Sequence, residues 1–187
     1  KIVNEVERME AIYHSVGILA TGAASSRPAM KTRDVLDSVT SQCEREFSNL
    51  NVYHRNLPEM DMLMPAADFA QVIHEIIKNS AESRCGEGSP IRVVINWSVQ
   101  PTGFLTLTIS DNGPGISAGL LEQISDPFIT TRDGQLGIGL TRVETIMEMH
   151  DLNWLVTSTP EQGTTVTLEI GTLKDGSTNQ SRTKGLK

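Results

Sequence analysis

The stretch ISDNGPGI, residues 109–116, decides how this chain is read. FLTLTIS, residues 104–110, alternates through Leu105, Leu107 and Ile109, so a half-buried strand runs into it. Asp111 stands at the strand's end. Gly113 and Gly115 follow, and they let the chain turn sharply and bring its backbone close to a ligand. A carboxylate there can accept a hydrogen bond from an exocyclic amine such as that of adenine; guanine has a carbonyl in that place and would be repelled. An Asn-Gly turn alone is a common surface feature, so the reading needs support from the segments on either side.

Upstream, IRVVINWSV, residues 91–99, alternates through Ile91, Val93, Ile95, Trp97 and Val99, and QPTG, residues 100–103, turns the chain back. The pair reads as a hairpin with one buried face. Before it, DFAQVIHEIIKNSAES, residues 68–83, carries a helical stripe of Phe69, Val72, Ile73, Ile76, Ile77 and Ser80. Asp68 is expected to cap this helix, with Gln71 completing a capping-box-like start. Glu75 and Asn79, four residues apart, leave from one edge of the stripe. The Asn79 carbonyl oxygen suits Mg²⁺, a hard cation, and Glu75 can position or deprotonate a nucleophile. His74 has no partner that would make it a ligand.

Downstream, DGQLGIGLTRV, residues 133–143, brings Gly134, Gly137 and Gly139 to the start of a helix over Gly137 to His150, with Leu140, Val143, Ile146 and Met147 facing inward. A glycine loop entering a helix N-terminus favours an anion, because backbone N–H groups and the helix dipole both point at it. There is no G-x-x-x-x-G-K-[ST] run, and the glycines do not follow a strand as G-x-G-x-x-G, so a P-loop and a Rossmann site are disfavoured.

The remaining segments complete the class. A helix is expected from about Thr32 to Phe47, with Val35, Val39 and Cys43 on one face, and a short strand over Asn51 to Tyr53. WLVTST, residues 154–159, and TTVTLEI, residues 164–170, form a last strand pair around Glu161 to Gly163. This predicts an α+β fold, a two-layer sandwich with helices on one face of a mixed sheet. The first stretch, residues 1–20, repeats Ile2, Val6, Met9, Tyr13, Val16 and Ala20 at alternating steps of four and three, the pattern of a coiled-coil seam or of an ordinary amphipathic helix packed on its own domain. Residues 21–30 read as a linker, 31–170 as the folded domain and 171–187 as a polar tail.

At 187 residues the chain suits one compact domain with a helical extension. Its 16 Lys and Arg against 23 Asp and Glu give a net charge of −7, which argues against a nucleic-acid surface. Cys43 and Cys85 are too few for a disulfide framework and read as reduced thiols. No apolar run approaches the ~20 residues of a membrane span, and no signal peptide is visible. A start at Lys1 is read as a piece of something longer.

Glu-x-x-x-Asn on a helix, Asp-x-Gly-x-Gly after a strand and Gly-x-Gly-Leu at a helix start, in this order, resemble the GHKL (Bergerat-fold) ATP-binding superfamily. Within it the chain is most similar to the catalytic domain of bacterial sensor histidine kinases. HEIIKNSAES looks like the N box, DNGPGI the G1 box, Asp126 to Phe128 the F box, Gly137 to Leu140 the G2 box, and GTTVTL, residues 163–168, the closing strand. The likeness covers about residues 30–170. It implies ATP and Mg²⁺. Asp111 would bind the adenine amine, with Thr165 nearby through water; Asn79 would bind Mg²⁺, and Glu75 would lie near the transferred phosphoryl group. Gly113 and Gly115 would shape the pocket together with Ser83, Ile116 and Leu140, and Gly137 and Gly139 would face the phosphates. Residues 117–136 would form the lid, with Phe128 as anchor and Thr130, Thr131 and Arg132 near the phosphates.

The same resemblance implies a response regulator as partner, the chain's own phosphoacceptor hairpin, dimerisation through the N-terminal helix, no nucleic acid, and a cytoplasmic domain of a membrane-anchored parent. Two departures stand out. Gln135 occupies the place of the first glycine of the family's G-x-G-x-G-L run, with Gly134 one residue earlier. No phosphoacceptor motif surrounds His14, His54 or His150, and His74-Glu75 belongs to the N box. Residues 1–20 are therefore read as the end of the second dimerisation helix, the histidine lying on an earlier one. The alternatives are an anti-sigma-factor-type serine kinase and a non-catalytic GHKL nucleotide-binding module. The heptad-like start weighs against the first, and intact Glu75 and Asn79 against the second.

Overall fold

The structure is a computed structural model that describes residues 31–56, 64–83, 89–100, 105–124 and 137–171. The expected N-terminal seam, the linker, the F box, the lid from 125 to 136 and the tail beyond 171 lie outside the described residues. Among the described residues, four helices, α1 (Thr32–Glu46), α2 (Ala66–Glu82), α3 (Ala118–Leu121) and α4 (Gly139–Met149), accompany five strands. The strands are β1 (Leu50–Arg55), β2 (Ile91–Val99), β3 (Leu105–Asp111), β4 (Trp154–Thr159) and β5 (Gly163–Ile170). They form one sheet in the order β1-β2-β3-β5-β4. β1 runs parallel to β2, as the crossover through α2 requires, and the other pairs are antiparallel. The expected mixed α+β sandwich is the fold observed.

Alternation decides which side of the sheet is core. Ile91, Val93, Ile95 and Trp97 of β2, Leu105, Leu107 and Ile109 of β3, and Val166, Leu168 and Ile170 of β5 are all buried. Val99, expected to extend that row, is 55% exposed at the last position of β2. Against the buried face lie Val35, Leu36, Val39 and Cys43 of α1, the Phe69 to Ile77 stripe of α2, and Val143, Ile146 and Met147 of α4. Each such side chain fully removed from water contributes about 1.5–3 kcal/mol. The Phe69 and Trp97 rings, 6.1 Å apart and tilted, fix α2 over β2. Burial, helped by Glu46, pushes the Cys43 thiol up to about 11, so it packs as an inert apolar group.

One expectation about α2 fails. The helix starts at Ala66 with Pro65 as N-cap, and no side chain among the described residues caps it. A fixed proline φ suits that entry. The Asp68 carboxylate instead takes His150 Nε2, at 2.8 Å, from the far end of α4. Gln71 reaches forward to Glu75 and not back to the helix start. Tertiary pairing has replaced the local capping box.

Candidate functional site

The end of β3 carries the first half of the site. The Asp111 carboxylate accepts three hydrogen bonds: Ser80 Oγ on Oδ2 at 2.9 Å, and the Gly113 and Thr164 backbone N–H groups on Oδ1 at 2.8 and 3.1 Å. An ionised carboxylate offers about four acceptor positions. Its orientation is therefore fixed from three directions while Oδ2 keeps capacity for one more donor. Gly113 is the reason the loop can lie so close, since a Cβ there would meet Ser83 Oγ at 2.6 Å and Asp111 Oδ1 at 2.8 Å.

Asn112 ties the same loop to the start of β2 by accepting the Arg92 N–H at 2.7 Å. Beyond it, Gly115 takes φ +70°, and a Cβ there would sit 2.1 Å from the Thr159 carbonyl oxygen. The following Ile116 N–H donates to Ser158 Oγ at 2.8 Å. Glu161 N–H donates to the Pro114 carbonyl at 2.7 Å, so the β4–β5 turn braces the loop.

Thr165 does not join this site. Its hydroxyl lies against Ser110 at 2.9 Å, and both residues are on the face of the sheet turned away from the helices. Side chains alternate along a strand, so a one-residue difference moves a side chain through the sheet. The neighbour of Asp111 is Thr164, whose hydroxyl pairs with Ser158 at 3.0 Å.

The second half lies between α2 and α4. Glu75, Asn79 and Ser83 follow one another at four-residue steps along one edge of α2, and Ser80 beside them reaches Asp111. Glu75, expected at the stripe edge, is only 5% exposed. It pairs with Arg142 of α4 and accepts Gln71 Nε2 at 2.9 Å. Gly139 opens α4 against this edge: a Cβ there would meet Glu75 Oε2 at 3.1 Å and the Asn79 amide atoms at 3.4 and 3.6 Å. Gly137, just before it, has φ +64°. Leu140 is partly buried against the core.

Asp111, Gly113, Ser83, Glu75, Asn79 and Gly139 are thus brought along one edge of α2. Phe128, Thr130, Thr131 and Arg132 lie outside the described residues. Sequence reasoning missed Ser80 as a partner of Asp111, Thr164, and Arg142. The signal for Arg142 was present, the one basic residue of Gly139–Met149, placed next to the core residue Val143.

Among the described residues, no group of three or more His, Cys, Asp or Glu could hold a metal ion. The oxygens available at the start of α4 instead suit a cation that draws its other ligands from phosphates and water, the habit of Mg²⁺. No helix among the described residues is long and apolar enough to cross a membrane.

A family profile described as "Histidine kinase-, DNA gyrase B-, and HSP90-like ATPase" matches residues 65–173. Sporulation kinase A of Bacillus subtilis (strain 168) is 28% identical over 87% of this chain and 27% of its own length. The sensory histidine kinase/phosphatase NtrB of Rhizobium leguminosarum bv. phaseoli is 25% identical over 80% of this chain and 43% of its own length. The chain thus spans less than half of either relative. Among solved structures, the mycobacterial sensor histidine kinase MprB superposes with a TM-score of 0.67 at 17% identity, over 78% of this chain and all of that one. Full-length ShkA, in complex with AMPPNP, gives 0.72 at 16% identity, over 89% of this chain and 35% of that one.

These likenesses give the fold. α1 and β1 precede the matched residues yet belong to the same sandwich, α1 packed on α2 and β1 paired to β2. The chain belongs to the histidine kinase-, DNA gyrase B-, and HSP90-like ATPase family, and its matched portion is an ATP-binding catalytic domain of the sensor histidine kinase kind.

Proposed function

We propose that this chain binds Mg-ATP at the α2 edge and passes the γ-phosphoryl group to a histidine on its own dimerisation helices, from which an aspartate of a response regulator receives it. The observation that carries this reading is the coincidence along α2 of a fixed carboxylate, Asp111, and the Glu75–Asn79 pair facing a helix start. Asp111 accepts the adenine amine on Oδ2. Ser83, Gly113, Gly115 and Ile116 form the walls around the base, with Thr164 in place of Thr165. The phosphates lie toward Gly137, Gly139 and Leu140, where the N-terminal turn of α4 favours negative charge. Asn79 would hold Mg²⁺, with Glu75 beside it. Mg²⁺ bound there supplies charge neutralisation on the phosphates. Phe128, Thr130, Thr131 and Arg132 keep their proposed places in the lid.

In the transfer, an imidazole nitrogen attacks the γ-phosphorus, the bond to the bridging oxygen breaks, and ADP leaves with the electron pair. Chemistry of this kind rests on positioning and electrostatics more than on groups that exchange protons. Residues 1–20 are proposed as the end of the phosphoacceptor hairpin and the dimer contact, and 21–30 as its linker. A cytoplasmic setting, with a membrane-anchored parent, belongs to the same proposal.

The serine-kinase and non-catalytic alternatives are not favoured, since relatives matching four-fifths or more of the chain are named as a sporulation kinase and a sensory histidine kinase/phosphatase. The test supplies a separate histidine-bearing dimerisation hairpin with labelled ATP. Label is expected on the hairpin, in an acid-labile and base-stable form, and not on this chain alone. Label on a serine of an added protein, or on this chain without the hairpin, contradicts the proposal.

A further inference from the structure

Glu75 and Arg142 are 67 positions apart in the chain, yet their side chains meet, 7% and 16% exposed respectively. A carboxylate taken out of water without a counter-charge is strongly disfavoured. An apolar pair of similar volume would pack α2 on α4 at least as well, so packing alone does not explain two charges here.

The geometry is directional. Arg142 Nη1 and Gln71 Nε2 both bond Oε1 of Glu75. Oε2 is turned the other way, toward Gly139, where a side chain is missing and where the Asn79 amide also fronts the opening. Arg142 stands one turn beyond Gly139 on the same helix, so the element that opens the site also holds the carboxylate. Arg142 Nε is buried without an acceptor among the described residues, while Nη1 of the same guanidinium donates to Glu75.

We propose that Arg142 is a positioning residue, holding Glu75 by Oε1 so that Oε2, together with Asn79, faces the phosphate end of the site and supports Mg²⁺-dependent nucleotide binding. This rests on the nucleotide reading above. Arg142 touches neither nucleotide nor cation in this account and acts only through Glu75.

The test is a calorimetric titration of the whole chain with a non-hydrolysable ATP analogue, once with Mg²⁺ and once with EDTA. The proteins are wild type, R142M, R142K, E75Q and the double variant E75Q/R142M. R142M is expected to lose about tenfold in affinity with Mg²⁺ and less than about twofold in EDTA. R142K should recover most of the loss. E75Q should match R142M, and the double variant should be no weaker than either single one.

Equal losses with Mg²⁺ and in EDTA would make Arg142 a structural residue and overturn the proposal. So would losses that multiply in the double variant, or no loss at all. If R142M does not fold, E75Q/R142M, which buries neither charge, is compared with E75Q alone: equal affinities support the proposal and a further loss overturns it. A wild-type chain that binds no analogue in either buffer overturns the nucleotide reading itself, and this one with it.

Discussion

Asp111 is held by donors from three parts of the chain: a helix hydroxyl, its own loop, and the start of β5. This is why its place at a strand end, legible from ISDNGPGI, becomes a fixed acceptor in the fold. Thr165 shows where legibility stops. GTTVTL offers adjacent threonines, and only the strand register, Ser110 opposite Thr165, tells which face each takes. Thr165→Ala should therefore leave adenine-nucleotide affinity within about twofold and cost only the Ser110 contact, about 0.5–1.5 kcal/mol of stability in a urea titration. A tenfold loss of affinity would put Thr165 back in the site. Gly115→Ala meets both a left-handed φ and the Thr159 carbonyl. It should destabilise the fold by more than about 2 kcal/mol, and an unchanged urea midpoint would show that the loop is not braced in this way.

Among the elements, the period-two and period-3.6 patterns located every described strand and the three longer helices to within a few residues, because burial on one face imposes those periods. What they could not supply were pairings between distant elements. Asp68 reads locally as a cap and is used instead by His150; Glu75 reads as a stripe-edge residue and is buried by Arg142. β1 adds a prediction of its own. His54 has a buried Nδ1 without a hydrogen-bond partner among the described residues, and burial lowers its pKa below the usual 6.5. As pH falls through about 6.5 the unfolded chain takes up a proton that folded His54 resists, so its contribution to stability is lost on the acid side. His54→Leu should flatten the fall in melting temperature from about pH 7 to about pH 5 relative to wild type. Parallel slopes for the two proteins would exclude this origin.

On the scale of the whole molecule, a net charge of −7 argues against a nucleic-acid face and leaves a nucleotide pocket open. In the proposed reading, the attraction for phosphate is local and would come from the start of α4 and a divalent cation. The five-stranded sheet carries Asp111 on β3, and α2 links it to α4 through Ser80, Asn79 and Glu75. In the proposed reading, base and phosphate recognition thus share one helix. The central claim is that Asp111 recognises adenine there. Calorimetric titration of Mg-ADP into wild type and Asp111→Asn measures it directly. A hydrogen bond to a charged acceptor is worth about 1.5–3 kcal/mol, so wild type should bind and Asp111→Asn should bind at least about tenfold more weakly, with its melting transition retained. Equal affinity in the two proteins would contradict the account.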